Sequence, residues 1–216
     1  MKAVLFDLDN TLYDAKQYFL GAFNEVAQHL SNEHRIPKPA VKKKLQNIYE
    51  TKTSMYSHLF DDLLNEFGLE KELGNVIRIF NDHDCKLQPY QDIPPTLVGL
   101  KRKGIKLGIV TDGDVKRQKR KIKALGLESF FDVVTFAKEI APKPSPTPYL
   151  TALASIGIEA TDAFFVGDNP LLDFEGAKVA GMKTIRILRG EFSKIPRNEF
   201  IDFEIEKANE LLGIVS

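Results

Sequence analysis

Short apolar runs alternate along the chain with longer segments whose apolar residues recur at helical spacing. Five of the runs are almost continuously apolar, which is typical of parallel strands buried on both faces of a sheet. They cover residues 3–8, 106–112, 131–136, 163–167 and 183–188. The pattern therefore predicts a parallel β-sheet.

The segments between the later strands predict helices. Residues 115–125, 147–156 and 172–180 have helical patterns, and each is followed by a glycine, Gly126, Gly157 or Gly181. Glycine just beyond the last periodic residue is a common helix stop. Because strands alternate with helices of about ten residues, we predict βαβ units and an α/β fold with helices on both faces of the sheet.

One long stretch interrupts this alternation. Between residues 16 and 86 there is no comparable strand, and three segments space their apolar residues for amphipathic helices: KQYFLGAFNEVAQHL, SMYSHLFDDLLNEFG and LGNVIRIFNDHDC. A further helix is predicted after RIPKP, and KLQPYQDIPP has the composition of a return linker. We therefore predict a core domain of residues 1–15 and 90–216, and an inserted helical domain of residues 16–89.

Polar residues follow the predicted strands at the edge where open α/β sheets bind ligands, beyond the carboxyl ends of the strands. Four loops that are distant in sequence should converge there and bring together carboxylates, hydroxyl groups and an ammonium group. The residues are Asp7, Asp9, Thr11, Thr111, Asp112, Gly113, Lys143, Asp168 and Asp173.

These residue types point to phosphate chemistry. Several carboxylates in one cleft repel one another unless a cation lies among them. Carboxylate oxygens suit Mg²⁺, which prefers octahedral oxygen coordination. A lysine beside an acidic metal site serves a second anion, and a threonine hydroxyl with backbone N–H groups at a strand-to-helix turn suits a phosphate. Together they indicate phosphoryl transfer.

Composition and charge narrow the class of protein. The 216 residues are 43% hydrophobic and 28% charged, with zero net charge, so charge predicts no nucleic-acid or membrane partner. The single cysteine, Cys85, excludes a disulfide framework. A strand is predicted almost at the first residue, which leaves no room for a signal peptide, and no apolar run reaches the roughly 20 residues of a membrane span. We expect a cytoplasmic protein; its oligomeric state is not predicted.

The motifs FDLDNT, IVTDG, KPSP and VGDNPLLD, in this order, resemble those of the haloacid dehalogenase-like hydrolase superfamily. The likeness covers residues 1–15 and 90–216 and implies a Rossmann-like core. The insert is similar to the helical cap that one large subgroup carries at this point. The resemblance implies a Mg²⁺-dependent phosphatase that hydrolyses a small phosphorylated metabolite through an aspartyl-phosphate intermediate.

The resemblance also implies roles for the four aspartates. Asp7 would be the nucleophile, and Asp9 would be the general acid that protonates the leaving alcohol and then the base that activates water. Mg²⁺ would be held by Asp7, the Asp9 carbonyl oxygen and Asp168, with Asp173 assisting. The two aspartates of FDLDNT would thus have separate tasks.

The phosphoryl oxygens would be bound by Thr111 and the backbone N–H of Asp112, while Lys143 would neutralise the charge beside the nucleophile and so act in both binding and catalysis. The family often has Asn or Gly where Asp112 stands. We therefore expect this side chain to turn away from the phosphate, toward Lys116 or Arg117.

Two other groups of basic residues are not assigned to the site. The segment VKRQKRKIK, residues 115–123, carries six basic residues and is interpreted as a solvated helix face. Lys138 lies near Lys143 in sequence and competes for the same role, but only Lys143 has the matching KPSP context.

Three alternative functions stay open. A 2-haloacid dehalogenase of the same superfamily needs no metal and usually lacks an aspartate where Asp9 stands. A phosphomutase would differ in details of the cap, and a catalytically silent binding protein would need none of this chemistry. The substrate also stays open among sugar phosphates, triose phosphates, phosphoglycolate and nucleoside monophosphates.

Overall fold

The computed structural model describes residues 1–215. The chain folds as two compact units: a core unit, residues 1–15 with the chain from residue 87 on, and a helical unit, Lys16–Lys86. Residues 87–89, which the sequence assigned to the insert, are part of the core unit. Among the helices of the described residues, none has the length and apolar character needed to cross a membrane.

The core unit is built on one parallel sheet. Its strands are β1 (Ala3–Phe6), β2 (Lys106–Thr111), β3 (Val133–Phe136), β4 (Ala163–Gly167), β5 (Lys183–Ile187) and β6 (Phe203–Ile205). They lie in the order β3-β2-β1-β4-β5-β6, and all neighbours are parallel. The five predicted strands are present, and the α/β prediction is confirmed. Strand β6 was missed because it is short and exposes Phe203 and Glu204 at the sheet edge.

Helices make up most of the helical unit and connect most of the strands in the core unit. Within residues 1–215 the α-helices are α1 (Lys16–His34), α2 (Lys38–Lys52), α3 (Leu59–Phe67), α4 (Leu73–Asp82), α5 (Ile93–Arg102), α6 (Val115–Leu125), α7 (Thr147–Ile156), α8 (Phe174–Val179) and α9 (Leu211–Ile214). The sequence missed α5, because Pro94 and Pro95 suggested a linker. Both prolines lie in its first turn, where the missing N–H has no intrahelical acceptor to lose.

Burial on both sides of the sheet explains its apolar strands. On one side, Ala3 and Leu5 belong to a buried cluster with Tyr149 of α7 and Phe174 of α8. The alternate side chains, such as Val4, point to the opposite face and are equally buried. The two central strands, β1 and β4, therefore carry apolar residues until they end.

The helical unit has its own core of aromatic side chains. Phe23 of α1 lies 6.0 Å from Tyr49 of α2 and 6.4 Å from Phe80 of α4, measured between ring centroids. The Tyr18 hydroxyl donates a hydrogen bond to the Phe80 carbonyl oxygen. These contacts join three helices that are separated in sequence, so the unit buries an apolar interior without a sheet.

The strand order places the two central strand ends beside each other. The chain runs from β1 outward through β2 and β3, then returns across the sheet to β4, so β1 and β4 are neighbours at a topological switch point. Just beyond β1, the Asp7 N–H donates to the Val166 carbonyl oxygen over 2.8 Å. Ligands of open α/β sheets bind at such points.

Candidate active site

A buried lysine connects two of the predicted site aspartates. The Lys143 ammonium nitrogen lies 2.6 Å from Asp7 Oδ1 and 2.7 Å from Asp173 Oδ1. It also lies 5.0 Å from the centroid of the Phe165 ring. Burial alone would lower the pKa of Lys143, but Asp173 and Asp7 hold that pKa well above its usual value. Lys143 is therefore a fixed positive charge beside Asp7.

The loop that carries Lys143 packs closely against α8. A Cβ atom on Gly176 would lie 2.2 Å from the Pro144 carbonyl oxygen, so only glycine allows the loop to approach this helix. Lys138, the competing lysine, is exposed. The KPSP context therefore identified the lysine that reaches the aspartates.

Asp7, Asp168 and Asp173 form the one cluster in residues 1–215 whose carboxylate, thiolate or imidazole ligand atoms could jointly hold a metal, each within 4.8 Å of the others. Asp168 Oδ2 is buried and has no hydrogen-bond partner in the described structure. Burial, then Asp173 and Asp7, raise the pKa of Asp168 well above its usual value. Burial also raises the pKa of Asp7, opposed by Lys143 and reinforced by Asp173. One ammonium group does not compensate three buried carboxylates, so the cluster fits a hard divalent cation.

Small residues shape this acidic cluster. A Cβ on Gly167, the last residue of β4, would lie 2.4 Å from Asp173 Oδ2. The same oxygen accepts a hydrogen bond from the Asn169 N–H over 3.0 Å. Glycine at the strand end thus lets Asp173 fold back over the turn that carries Asp168.

Asp9 lies in a different environment from Asp7. The Lys121 ammonium nitrogen lies 2.7 Å and 3.0 Å from its two carboxylate oxygens. Gln118 Nε2 donates to Asp9 Oδ2 over 2.9 Å, and the Tyr13 hydroxyl donates to Oδ1. Burial would raise the pKa of Asp9, but Lys121 and the hydrogen bonds outweigh it and lower the pKa to about 2. These contacts therefore favour the ionised form of Asp9.

These contacts correct the interpretation of residues 115–123 as a solvated face. Gln118 and Lys121 of α6 are buried, together with Ile122 and Leu125. The four positions follow the i, i+3, i+4, i+7 spacing of one helix face. The signal was present in the sequence, but the number of basic residues concealed it.

The residues of the turn after β1 suit its backbone conformation. Asn10 has a φ of 56°, a left-handed conformation that asparagine adopts more readily than most residues. Its Oδ1 accepts a hydrogen bond from the Ala15 N–H over 3.1 Å. Gly190 leaves room for this turn, since a Cβ there would lie 2.6 Å from the Asn10 Cβ. Asp9 is thereby presented from a closed, hydrogen-bonded turn.

The predicted phosphate-binding residues lie at the end of β2. Thr111 is buried, and its hydroxyl oxygen accepts from Gln118 Nε2 over 2.7 Å. The Asp112 side chain contacts the KPSP loop, a partner that the sequence did not predict. Its Oδ2 accepts from the Lys143 backbone N–H over 3.2 Å, because the KPSP loop crosses beside the strand end. It is Asp114 that accepts from the Arg117 N–H, as the cap of α6.

The structure thus brings most of the predicted residues into two linked groups. Asp7, Asp112 and Asp173 all contact Lys143, and Asp168 lies within the acidic cluster. A second group joins Asp9 to Thr111 through Gln118. Thr11, four residues after Asp7, is also buried. Its hydroxyl has no hydrogen-bond partner within residues 1–215. Gly113 has a φ of 106°, which favours glycine in the turn into α6.

Comparison with known proteins identifies the family. The model of the haloacid dehalogenase-like hydrolase family matches residues 4–187, which include all four motifs. The chain belongs to the haloacid dehalogenase-like hydrolase family. It is similar to the glyceraldehyde 3-phosphate phosphatase of Methanopyrus kandleri, with 35% identity over all of this chain and 97% of the relative.

Solved structures agree with this assignment. A HAD phosphatase from Thermococcus onnurineus is 30% identical, with a TM-score of 0.73 over all of this chain and 98% of that one. The HAD-hydrolase YfnB from Bacillus subtilis, described as bound to magnesium, has the same fold at 21% identity, with a TM-score of 0.70 and coverage of 100% and 98%. Members of this haloacid dehalogenase-like family generally use Mg²⁺.

The comparisons also confirm the predicted type of enzyme. Other relatives are named as a pyrophosphatase and a phosphoglycolate phosphatase, at 29% and 30% identity. This haloacid dehalogenase-like protein is a hydrolase, a phosphatase of a small phosphorylated metabolite. The dehalogenase, phosphomutase and silent binding protein that the sequence left open receive no support from these relatives.

Proposed function

We propose that the protein is a Mg²⁺-dependent phosphatase that transfers the phosphoryl group of a three-carbon phosphate, such as glyceraldehyde 3-phosphate, to Asp7. The observation that carries the proposal is the Lys143 ammonium between Asp7 and Asp173, within the cluster completed by Asp168. The substrate class rests on the name of the Methanopyrus kandleri relative, which aligns over the whole chain.

The residues present fit a magnesium ion. The unpaired Asp168 oxygen and the mutual proximity of the three carboxylates supply hard oxygen donors with uncompensated negative charge. Asp7, Asp168 and the Asp9 carbonyl oxygen would hold the ion, with Asp173 beside them. When bound, Mg²⁺ supplies charge neutralisation and orientation of the phosphate group.

The side chains would divide the remaining work. Asp7 attacks phosphorus with a carboxylate oxygen, forming an aspartyl-phosphate while the bond to the leaving oxygen breaks. Lys143 lowers the repulsion between that carboxylate and the incoming phosphate, because its ammonium group is fixed beside Asp7. The Thr111 hydroxyl and the Asp112 N–H donate hydrogen bonds to phosphoryl oxygens.

Asp9 would move the protons. A pKa of about 2 makes Asp9 a carboxylate before substrate binds, the form required of the base that activates water in the second step. A phosphate anion bound nearby repels this carboxylate, which raises its pKa and favours the protonated form needed to release an alcohol. The same side chain can therefore serve as acid and base.

We also propose that the helical unit, residues 16–86, is the cap that supplies most contacts to the organic part of the substrate. A small phosphorylated metabolite is the only partner this function requires. The catalytic groups described above belong to the core unit, so the two contributions can be separated by mutation.

A metabolite panel with matched variants tests this proposal. We expect release of phosphate from glyceraldehyde 3-phosphate in Mg²⁺ and none in a chelator. Pyrophosphate, phosphoglycolate and nucleoside monophosphates serve as competitors in the same panel. Asp7→Asn should abolish turnover while the fold is retained, since an amide does not attack phosphorus usefully. Asp162→Asn, which alters an exposed carboxylate, should leave turnover unchanged.

Two results would contradict the proposal. Activity of Asp7→Asn above roughly one per cent, a barrier increase of less than about 2.7 kcal/mol, would remove Asp7 as nucleophile. Full activity in a chelator would remove the metal from the reaction. A preference for pyrophosphate over every organic phosphate would overturn the proposed substrate class and leave the proposed phosphatase mechanism in place.

A further inference from the structure

We propose that Lys121 and Gln118 are positioning residues, which hold the Asp9 carboxylate where it exchanges protons with the leaving group. The inference rests on the proposed function, because it assigns these residues to the acid step of that reaction. Both side chains come from the same face of α6, one helical turn apart, and both reach Asp9 directly.

The contacts leave the Asp9 carboxylate little freedom. Lys121 contacts both oxygens, Gln118 contacts Oδ2, and the Tyr13 hydroxyl contacts Oδ1. Donors on both oxygens fix the plane of the carboxylate as well as its position. A catalytic carboxylate on a turn needs such support, because misplacement by about 1 Å can cost about a hundredfold in rate.

Gln118 connects Asp9 with the phosphate-binding end of β2. Its amide nitrogen donates to Asp9 Oδ2 over 2.9 Å and to the Thr111 hydroxyl oxygen over 2.7 Å. The two groups that must act on opposite ends of the breaking P–O bond, the proton donor and a phosphoryl-binding hydroxyl, are thus held by one amide. Their separation is set by a side chain rather than by two independent loops.

Stability alone does not account for these residues. Lys121 has 3% of its side chain exposed, and an apolar residue would fill this stripe beside Ile122 and Leu125 without losing the hydration of an ammonium group. Gln118 has a buried amide oxygen with no hydrogen-bond partner in the described structure. Burying these two polar side chains costs desolvation free energy, and both of them contact the same carboxylate. This combination indicates a role in the reaction.

Substrates with different leaving groups test the inference. Lys121→Met removes the ammonium group and keeps the length of the side chain. We compare the kcat/KM of this variant with that of the unmodified protein for two substrates: an alkyl phosphate that the unmodified protein hydrolyses, and para-nitrophenyl phosphate. The value of kcat/KM reports the steps up to leaving-group release. The alkyl phosphate should lose about tenfold to a hundredfold, and the aryl phosphate less than about threefold, because its leaving group needs little protonation.

A double-mutant cycle identifies the group through which Lys121 acts. In the Asp9→Asn background, Lys121→Met should cost no further activity toward the alkyl phosphate. Lys123→Met, an exposed position on the same helix, is the control and should behave like the unmodified protein. If Lys121→Met does not fold, as judged by circular dichroism and thermal melting, Gln118→Met replaces it in the same cycle.

The outcomes separate this inference from the proposed function. Equal losses for both substrates, or a full additional loss in the Asp9→Asn background, would overturn the positioning role while leaving the phosphatase assignment intact. An unmodified protein without activity on any alkyl or aryl phosphate would overturn the proposed function, and this inference with it.

Discussion

Replacing Asp168 by asparagine should make the metal-free protein more stable and the enzyme inactive. Ligand atoms of Asp168, Asp7 and Asp173 lie within 4.8 Å of one another, and unit charges at 4.8 Å repel by about 3.5 kcal/mol at an effective dielectric constant of about 20. Attraction to Lys143 and proton uptake reduce this repulsion. We therefore expect Asp168→Asn to increase the free energy of unfolding in a chelator by about 1–3 kcal/mol.

Magnesium should offset or reverse this difference in stability. A ligand that binds only the folded state at a hundred times its Kd stabilises the protein by about 2.7 kcal/mol. The unmodified protein should gain this increment on addition of Mg²⁺, while Asp168→Asn should gain much less, because it has lost a ligand. Urea unfolding with and without Mg²⁺ measures both effects, and phosphate release measures the loss of activity.

The control for this experiment is Asp162→Asn, since that carboxylate is 54% exposed and lies outside the cluster. Its stability should match that of the unmodified protein under both conditions. If Asp168→Asn is less stable than the unmodified protein in chelator, the cluster is not repulsive. If both proteins gain the same stability from Mg²⁺, Asp168 does not hold the ion.

Three further predictions concern other contacts. Lys143→Met should abolish turnover and lower the free energy of unfolding by about 3–5 kcal/mol in chelator, because it leaves buried carboxylates without their cation; unchanged stability in urea would contradict this. Asp9→Asn should lower kcat/KM far more for an alkyl phosphate than for an aryl phosphate, and equal losses would assign Asp9 to metal geometry instead. Burial raises the pKa of Asp132, but Lys101, the Leu107 N–H and Lys106 outweigh it and lower that pKa to about 2. This carboxylate should therefore stabilise the protein at pH 7 and lose that contribution as the pH falls from about 4 toward 2, so that Asp132→Asn should cost about 1 kcal/mol at pH 7, after allowance for solvent screening, and much less near pH 2.

The sequence predicted the strands and the site edge because burial and chemistry change together at one place in each βα unit. A strand such as β4 is apolar along its length, and its first polar side chain, Asp168, appears where the strand leaves the sheet. The same holds for β1 and Asp7. The convergence of these ends follows from the parallel topology rather than from any local preference.

Elements without a clear change from apolar to polar residues at their ends were not predicted. Helix α5 begins in a segment with two prolines, and strand β6 has one buried side chain, Ile205, on which a pattern could rest. The position of the Asp112 side chain was also beyond sequence reasoning. It is determined by the backbone of Lys143, which lies 31 residues away along the chain and meets β2 only after folding.

Helix α6 shows how a site residue can be concealed by its neighbours. Its buried stripe contains Gln118, Lys121, Ile122 and Leu125, so two of the four inward positions are polar. The helix starts at the ligand-binding edge of the sheet, and both polar positions fall in its first two turns, while Leu125 lies at the far end. A polar residue on the inward face of a helix can be satisfied only by groups at that depth, and near the start of α6 these groups include Asp9 and Thr111. The position of a charge on the helical stripe, rather than the number of charges in the helix, therefore distinguishes the lysine that reaches the site from the five basic residues that surround it in residues 115–123.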